Sequence, residues 1–442
     1  MKSHKTQQSE QNPPNPVLVA PKLRQELQKL DACIHCGICL PACPTYLATG
    51  SEAESPRGRL YLMKKMLDGE LTDTQVKPHL DQCLACHGCE SVCPSAVQYG
   101  TLLMKTRQDL ARNDRSVYRA IKRLIFSQVL PNHKLLQFLG SFLKFYQQSG
   151  LRDLVHRSNI LALMPVIQHQ ECLMPAVPGY RKIPENAWFG PPDGEPVVLL
   201  LGCIMDIFYN PVHWDTIDVL VANDYRVHVP PAECCGALAY HAGEADITQT
   251  LAKQGIKTWA EHKPRWIVSN SAGCGSTLKE YQDILADDMT DSTQGEPYST
   301  AVVDVMELLS KKPLAAFKNY ALYETIAYHP ACHLHHVQGV RQEPITLLEQ
   351  IPGITLVPIP NAEACCGSAG IFNLEHPALS QTVLDEKIKS IETVCKDNGV
   401  TTIATGNPGC LLQIEHGVKR LDNPALRVRH PVSILADAYR RP

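Results

Sequence analysis

No run of eighteen apolar residues occurs in this 442-residue chain, so nothing in it predicts a helix that crosses a bilayer. A surplus of one charge is missing too. Lys and Arg total 42 against 45 Asp and Glu, and the formal net charge of −3 excludes a global attraction to nucleic acid or acidic lipid. The opening MKSHKTQQSEQNPPNP lacks the apolar segment of a signal peptide, and residues 1–20 read as a polar, proline-rich, disordered tail. Absent as well is any G-x-G-x-x-G after a strand-like run, and with it the fingerprint of a bound flavin or nicotinamide.

Cysteine is what the chain has in quantity, with eighteen. In a long chain without an export signal, so many thiols point to metal more than to disulfides. Cys33, Cys36, Cys39 and Cys43 form C-x2-C-x2-C-x3-C before Pro44, and Cys83, Cys86, Cys89 and Cys93 repeat the spacing before Pro94. In the bacterial ferredoxin run, three cysteines hold one 4Fe–4S cube and the fourth reaches the other. By that rule Cys33, Cys36, Cys39 and Cys93 hold one cluster, and Cys83, Cys86, Cys89 and Cys43 the second. A zinc ribbon is the alternative, but it explains paired cysteines and not four in one run ending in Cys-Pro, twice.

Between the runs, Ser55 and Pro56 are placed to cap and start a helix that stops near Gly69, and a second helix is expected over Lys77–Cys83. Arg57 and Arg59 open the first helix and are expected in solvent; the alternative places them beside a cluster, where they would raise its potential. Residues 101–170 carry helical periodicity and many cations, among them Lys105, Arg107, Arg112, Arg115, Arg119, Lys122 and Arg123. We expect a bundle covering the cluster domain with its polar side in water, the alternative being a membrane-surface or partner-docking helix. A linker rich in proline and glycine follows over 175–196.

The remainder is a duplication. Val197–Cys203, Val227–Gly236 and Trp266–Gly275 are matched, about 130 residues later, by Ile326–Cys332, Ile354–Gly367 and Thr402–Cys410. Apolar runs alternating with helical patterns predict a parallel sheet in each copy. Loops at the C-terminal strand ends of such sheets gather on one edge. Cys203, Cys234, Cys235 and Cys274 are expected to converge there, as are Cys332, Cys365, Cys366 and Cys410, in numbers sufficient for a further cluster or metal. Small buried residues at tight turns are the plainer reading. His329, His333, His335 and His336 flank Cys332 and are candidates for binding a ligand or relaying a proton, or are ordinary surface histidines.

Two ferredoxin runs followed by two Cys-Cys-Gly domains resemble the iron–sulfur subunits of membrane-associated flavin dehydrogenases and of heterodisulfide reductase, and within that group the iron–sulfur subunit of glycolate oxidase. The stretches that carry the resemblance are Cys33–Tyr46, Ser55–Arg59, Cys83–Pro94, Ser271–Tyr281 and Cys365–Gly370. The resemblance implies an electron-transfer subunit of a glycolate dehydrogenase with two 4Fe–4S clusters. It would accept electrons from FAD-binding subunits oxidising glycolate to glyoxylate, pass them toward quinone, and sit on the cytoplasmic face of the membrane. Lactate, glycerol 3-phosphate or a heterodisulfide are alternative substrates, and a non-turnover sensor or scaffold is the alternative class. In one respect the chain departs from the wider pattern. Ser271 and Asn407 stand where the first cysteine of a closing C-x2-C is usual.

The expected organisation is thus a tail (1–20), a helical two-cluster ferredoxin-type domain (21–110), a helical connector and linker (111–195), and two α/β parallel-sheet Cys-Cys-Gly domains (196–310 and 320–442).

Overall fold

The computed structural model describes residues 28–158, 161, 168, 171, 174–262, 264–286, 292–317, 322–421 and 423–440. The expected tail lies outside these residues.

The N-terminal third is helical, with both cysteine runs in loops between helices. Ser55 caps the helix Pro56–Leu67 by accepting from the Gly58 N–H, with Pro56 in the first turn where its missing donor costs nothing. The next helix spans Asp73–Asp81 and ends before Cys83. A long helix, Tyr99–Asn113, buries Leu102, Leu103 and Leu110 against both. It runs through the expected boundary at residue 110 because its C-terminal half is also packed, Arg107 and Ala111 lying against Gly243 of the first repeat.

The duplicated half forms two sheets. Strands β1 (Ala187–Phe189), β2 (Glu195–Leu200), β3 (Tyr225–Val229), β4 (Trp266–Ser269) and β5 (Val302–Asp304) are arranged β1-β3-β2-β4-β5. Strands β6 (Glu324–Tyr328), β7 (Ile354–Pro358), β8 (Thr402–Ala404) and β9 (Arg427–Arg429) are arranged β7-β6-β8-β9. With β1 set aside, the two orders are the same, every pair is parallel, and the central strands are apolar on both faces. The duplication read from the sequence is therefore a duplication of topology. One element was not foreseen: β1 comes from the stretch read as linker and pairs antiparallel with β3, covering an edge that the second sheet leaves open at β7.

The copies lock together through the loops after β4 and β8. The Ala272 N–H donates to the Gly406 carbonyl (3.1 Å) and the Gly273 N–H to Asn407 Oδ1 (3.0 Å). His430 Nε2 donates to the Asn270 carbonyl at 3.0 Å, and His430 Nδ1 accepts from the Val432 N–H, which fixes a neutral imidazole at the junction.

Candidate metal centres and the cavity beside them

Each cysteine run folds as a loop with two residues in the left-handed region: His35 and Gly37 in the first, Ala85 and His87 in the second. Repeated left-handed turns curl a short loop around a central point, and a non-glycine held there costs about 1 kcal/mol or more. His87 is accommodated because Gly100 lacks a side chain; a Cβ there would stand 1.9 Å from His87 Cε1.

The loops enclose two small cavities. One is lined by Cys33, Cys36, Cys39 and Cys93 with Arg57, the other by Cys43, Cys83, Cys86 and Cys89 with Thr45, Arg59 and Tyr99. These are the two sets expected from the spacing, with the fourth cysteine of each run exchanged. Four convergent thiols around each void fit a 4Fe–4S cube in ligand number and type.

The two surroundings differ. The first set is open: Cys36 is exposed, and Arg57 spends its charge on Glu52 while donating to the His35 carbonyl at 3.1 Å. The second is enclosed by cations and donors. Arg59 is fully buried and bonded to Thr45 Oγ1, the carbonyls of Glu54 and His79, and Glu54 Oε2. Arg107, also buried, donates to the carbonyls of Leu80, Cys83 and His241. The Tyr99 hydroxyl donates to Cys83 Sγ at 3.3 Å and the Ala85 N–H at 3.4 Å. Burial alone would push the Cys83 thiol up; the two guanidinium groups, the phenol and the N–H outweigh it and hold Cys83 below the usual thiol range. Cys86 and Cys89, without such help, are pushed well up by burial. The expectation of solvated arginines therefore fails for Arg59, whose acceptors include Thr45 and His79, 14 and 20 residues away, and holds for Arg57, which stays at the surface paired with Glu52 while touching the first loop.

In the repeats, each set of four thiols converges at the C-terminal edge of its sheet. Cys203 and Cys234 lie 3.6 Å apart, and Cys235 shares a hydrogen bond with Cys274. Cys366 and Cys410 lie 3.5 Å apart, and Cys365 bonds to Cys332 and Cys366. Cys332 and Cys365 also pack in one apolar cluster with Cys86, which places the second repeat's thiols next to the second ferredoxin set. The histidines divide. His329 is buried, its ring within 4.8 Å of the Cys366 and Cys410 sulfurs, in a group able to hold a metal ion. His333 faces His241 and His87, whereas His336 bonds to Ser91 Oγ at 2.7 Å. Asn407 Nδ2 points at Cys410 Sγ (3.7 Å) while its Oδ1 holds the other copy. The residue in place of a cysteine thus ties the repeats together.

A cavity of about 650 Å³ opens where the ferredoxin domain, the connector and both repeats meet. Its walls include Lys77, Arg107, Leu110, Tyr118, Lys122, Leu374 and His376. Arg107 also donates to the Cys83 carbonyl, so the same side chain lines this space and touches the backbone of the second cysteine run. Sequence reasoning missed the cavity, because its walls come from four separated segments.

Comparison with known proteins places these parts. Residues 29–97 match the family described as 4Fe-4S dicluster domain, 118–173 the glycolate oxidase iron-sulfur subunit, linker region, and 197–279 and 326–415 the cysteine-rich domain. A probable glycolate oxidase iron-sulfur subunit of Bacillus subtilis (strain 168) is 33% identical over 429 residues, covering 94% of this chain and 96% of that protein. The glycolate oxidase iron-sulfur subunit of Escherichia coli (strain K12) is 30% identical over 427 residues, 93% and 95% of the two chains. A lactate utilization protein A of Geobacillus kaustophilus (strain HTA426) is 31% identical over 240 residues, 54% of this chain and 98% of that one.

Proposed function

This chain belongs to the family of glycolate oxidase iron–sulfur subunits, electron-transfer subunits of an oxidoreductase complex, and we propose that it serves a flavin-bearing partner that oxidises glycolate to glyoxylate, delivering the electrons toward quinone at the cytoplasmic face of a membrane. The observation that carries this reading is the pair of four-thiol cavities within a full-length likeness to glycolate oxidase subunits. Cys33, Cys36, Cys39 and Cys93 would hold one 4Fe–4S cluster, and Cys43, Cys83, Cys86 and Cys89 the other. When bound, such clusters take up and release single electrons, which matches a two-electron donor to acceptors that work one electron at a time.

The chain's own residues do the tuning. Arg59, Arg107 and Tyr99 place positive charge and a hydrogen-bond donor at the second set, and both raise a cluster's potential. The first set lacks comparable buried cations among the described residues, and the exposed Cys36 suits entry from a partner. Downhill flow would then run from the first set to the second. The cavity walled by Arg107, Tyr118 and His376 is our candidate acceptor site, since it offers donors, an apolar strip and room for a small ring. Lactate is the second reading, favoured by the lactate utilization relatives over about half the chain.

Freeze-quenched electron paramagnetic resonance of the anaerobic complex tests the proposal. Glycolate is expected to reduce the clusters that dithionite reduces. Should glycolate leave them oxidised while lactate reduces them, the substrate assignment falls to the second reading.

A further inference from the structure

Among the described residues, eleven of the twenty-one exposed large apolar side chains fall between residues 117 and 154. They form stripes. Val117, Ile121 and Leu124 recur at i, i+4, i+7 on the helix Val117–Leu124, and Phe138, Phe142 and Phe145 do so on the helix His133–Gln148. Val117 is 76% exposed and Phe138 67%.

The first of these helices is turned inside out relative to an ordinary surface helix. Its cations point into the protein, Arg119 and Arg123 to the buried Glu244 and Lys122 to Glu375, while its apolar stripe faces outward. The second helix buries Leu136 and Gly140, the latter where a Cβ would stand 2.9 Å from Ile207, and leaves its phenylalanines uncovered. A folded chain does not direct its charges inward and its aromatic rings outward without something to receive the rings.

We propose that this face lies on the surface of a membrane containing anionic lipid. The proposal deepens, and rests on, the reading of this chain as a peripheral membrane subunit with a lipid-soluble acceptor. Three observations favour lipid over a protein partner. Leaving aside the cations that pair with Glu244, Glu375 and Glu171, residues 115–158 carry Arg115, Lys134, Lys144 and Arg157 against one acid, Asp153, whereas the rim of a protein interface mixes charges of both signs. The exposed Arg115, Lys134 and Arg157 lie within the striped segment or at its ends, as cations do on helices that rest at an anionic headgroup layer. Tyr118, 56% exposed between the outward stripe and the inward cations, also walls the cavity beside Arg107, so that cavity lies along the flank of the striped helix. No described helix is long and apolar enough to cross, so the contact is with the surface.

Flotation of the anaerobically purified complex with vesicles of phosphatidylcholine, alone or mixed with phosphatidylglycerol, tests this. The complex is expected to float with the phosphatidylglycerol vesicles and to be released by salt. The double variant Phe142→Ser/Phe145→Ser should bind at least about tenfold more weakly, with iron content and glycolate-driven reduction in solution unchanged. Lys134→Glu/Arg157→Glu, which leaves the rings in place, should weaken binding to the anionic vesicles alone. The proposal is overturned if the wild-type complex floats with neither vesicle, or if the phenylalanine variant floats as well as wild type. Loss of the flavin-bearing partner from that variant, with vesicle binding intact, overturns it in favour of a protein dock. Failure of glycolate to reduce the wild-type clusters would instead remove the functional reading and leave the flotation result standing.

Discussion

At the scale of single residues, the most informative group is the one around Cys83. A thiolate buried among apolar side chains is costly, and here two guanidinium groups and a phenol offset that cost. Tyr99→Phe removes one donor and little volume. We expect it to lower the midpoint potential of one cluster by on the order of 60 mV, equivalent to a tenfold change in a one-electron equilibrium, and to leave the other unmoved. Redox titration followed by paramagnetic resonance would check this; two unshifted potentials would show that the phenol does not tune either cluster. None of this group was legible as a group. Tyr99, Arg59 and Arg107 lie 16, 24 and 24 residues from Cys83, and only folding brings them to it.

At the scale of elements, the turn ahead of the helix Pro56–Leu67 explains Ser55-Pro56-Arg57-Gly58-Arg59 position by position. Ser55 caps, Pro56 starts, Arg57 reaches the first loop and Arg59 the second thiol set. Gly58 is there because the preceding turn passes so close that a Cβ would stand 1.9 Å from the Glu52 carbonyl oxygen. Gly58→Ala is expected to destabilise the chain by about 1–3 kcal/mol, read as a lower urea midpoint with partial loss of iron; an unchanged midpoint would mean the turn moves aside freely. The helix itself was legible, since its cap and breaker are local signals. The strands of both repeats were legible for a similar reason, as apolar runs ending at cysteines. β1 was not, because three residues in a proline-rich stretch carry no pattern until β3 pairs with them. The basic connector was read with its cations toward water. Arg119, Lys122 and Arg123 instead face Glu244, Asp246 and Glu375, acids supplied by the two repeats, while Arg112 and Arg115 are exposed as expected.

At the scale of the whole molecule, the two repeats act as one body through a buried polar seam. Asn270 Nδ2 donates to His213 Nδ1 at 3.0 Å, and the Asn270 carbonyl accepts from His430. Burial holds His213 down to about 4 and His430 to about 3. In the unfolded chain both titrate near about 6.5. Between that pH and about 4 for His213, or about 3 for His430, the unfolded chain binds more protons, so stability falls as pH is lowered through the window and the loss levels off below about 3. Urea midpoints from pH 7 to 4 should decline accordingly, and less steeply in His430→Gln; equal slopes would contradict the assignment. That two copies exist was plain from the order of their cysteines. That Asn407 and His430 join them was not, because a bond between repeats leaves no spacing to read.

The account as a whole rests on eight thiols near the amino end holding two 4Fe–4S clusters. Iron and acid-labile sulfide should be measured per chain in anaerobically purified protein and in its Cys36→Ser/Cys86→Ser variant. The account expects about eight irons in the wild type beyond any held by the repeats, and their loss from the variant with the duplicated half still folded. Zinc in place of iron, or an iron content that the double variant leaves unchanged, would contradict it.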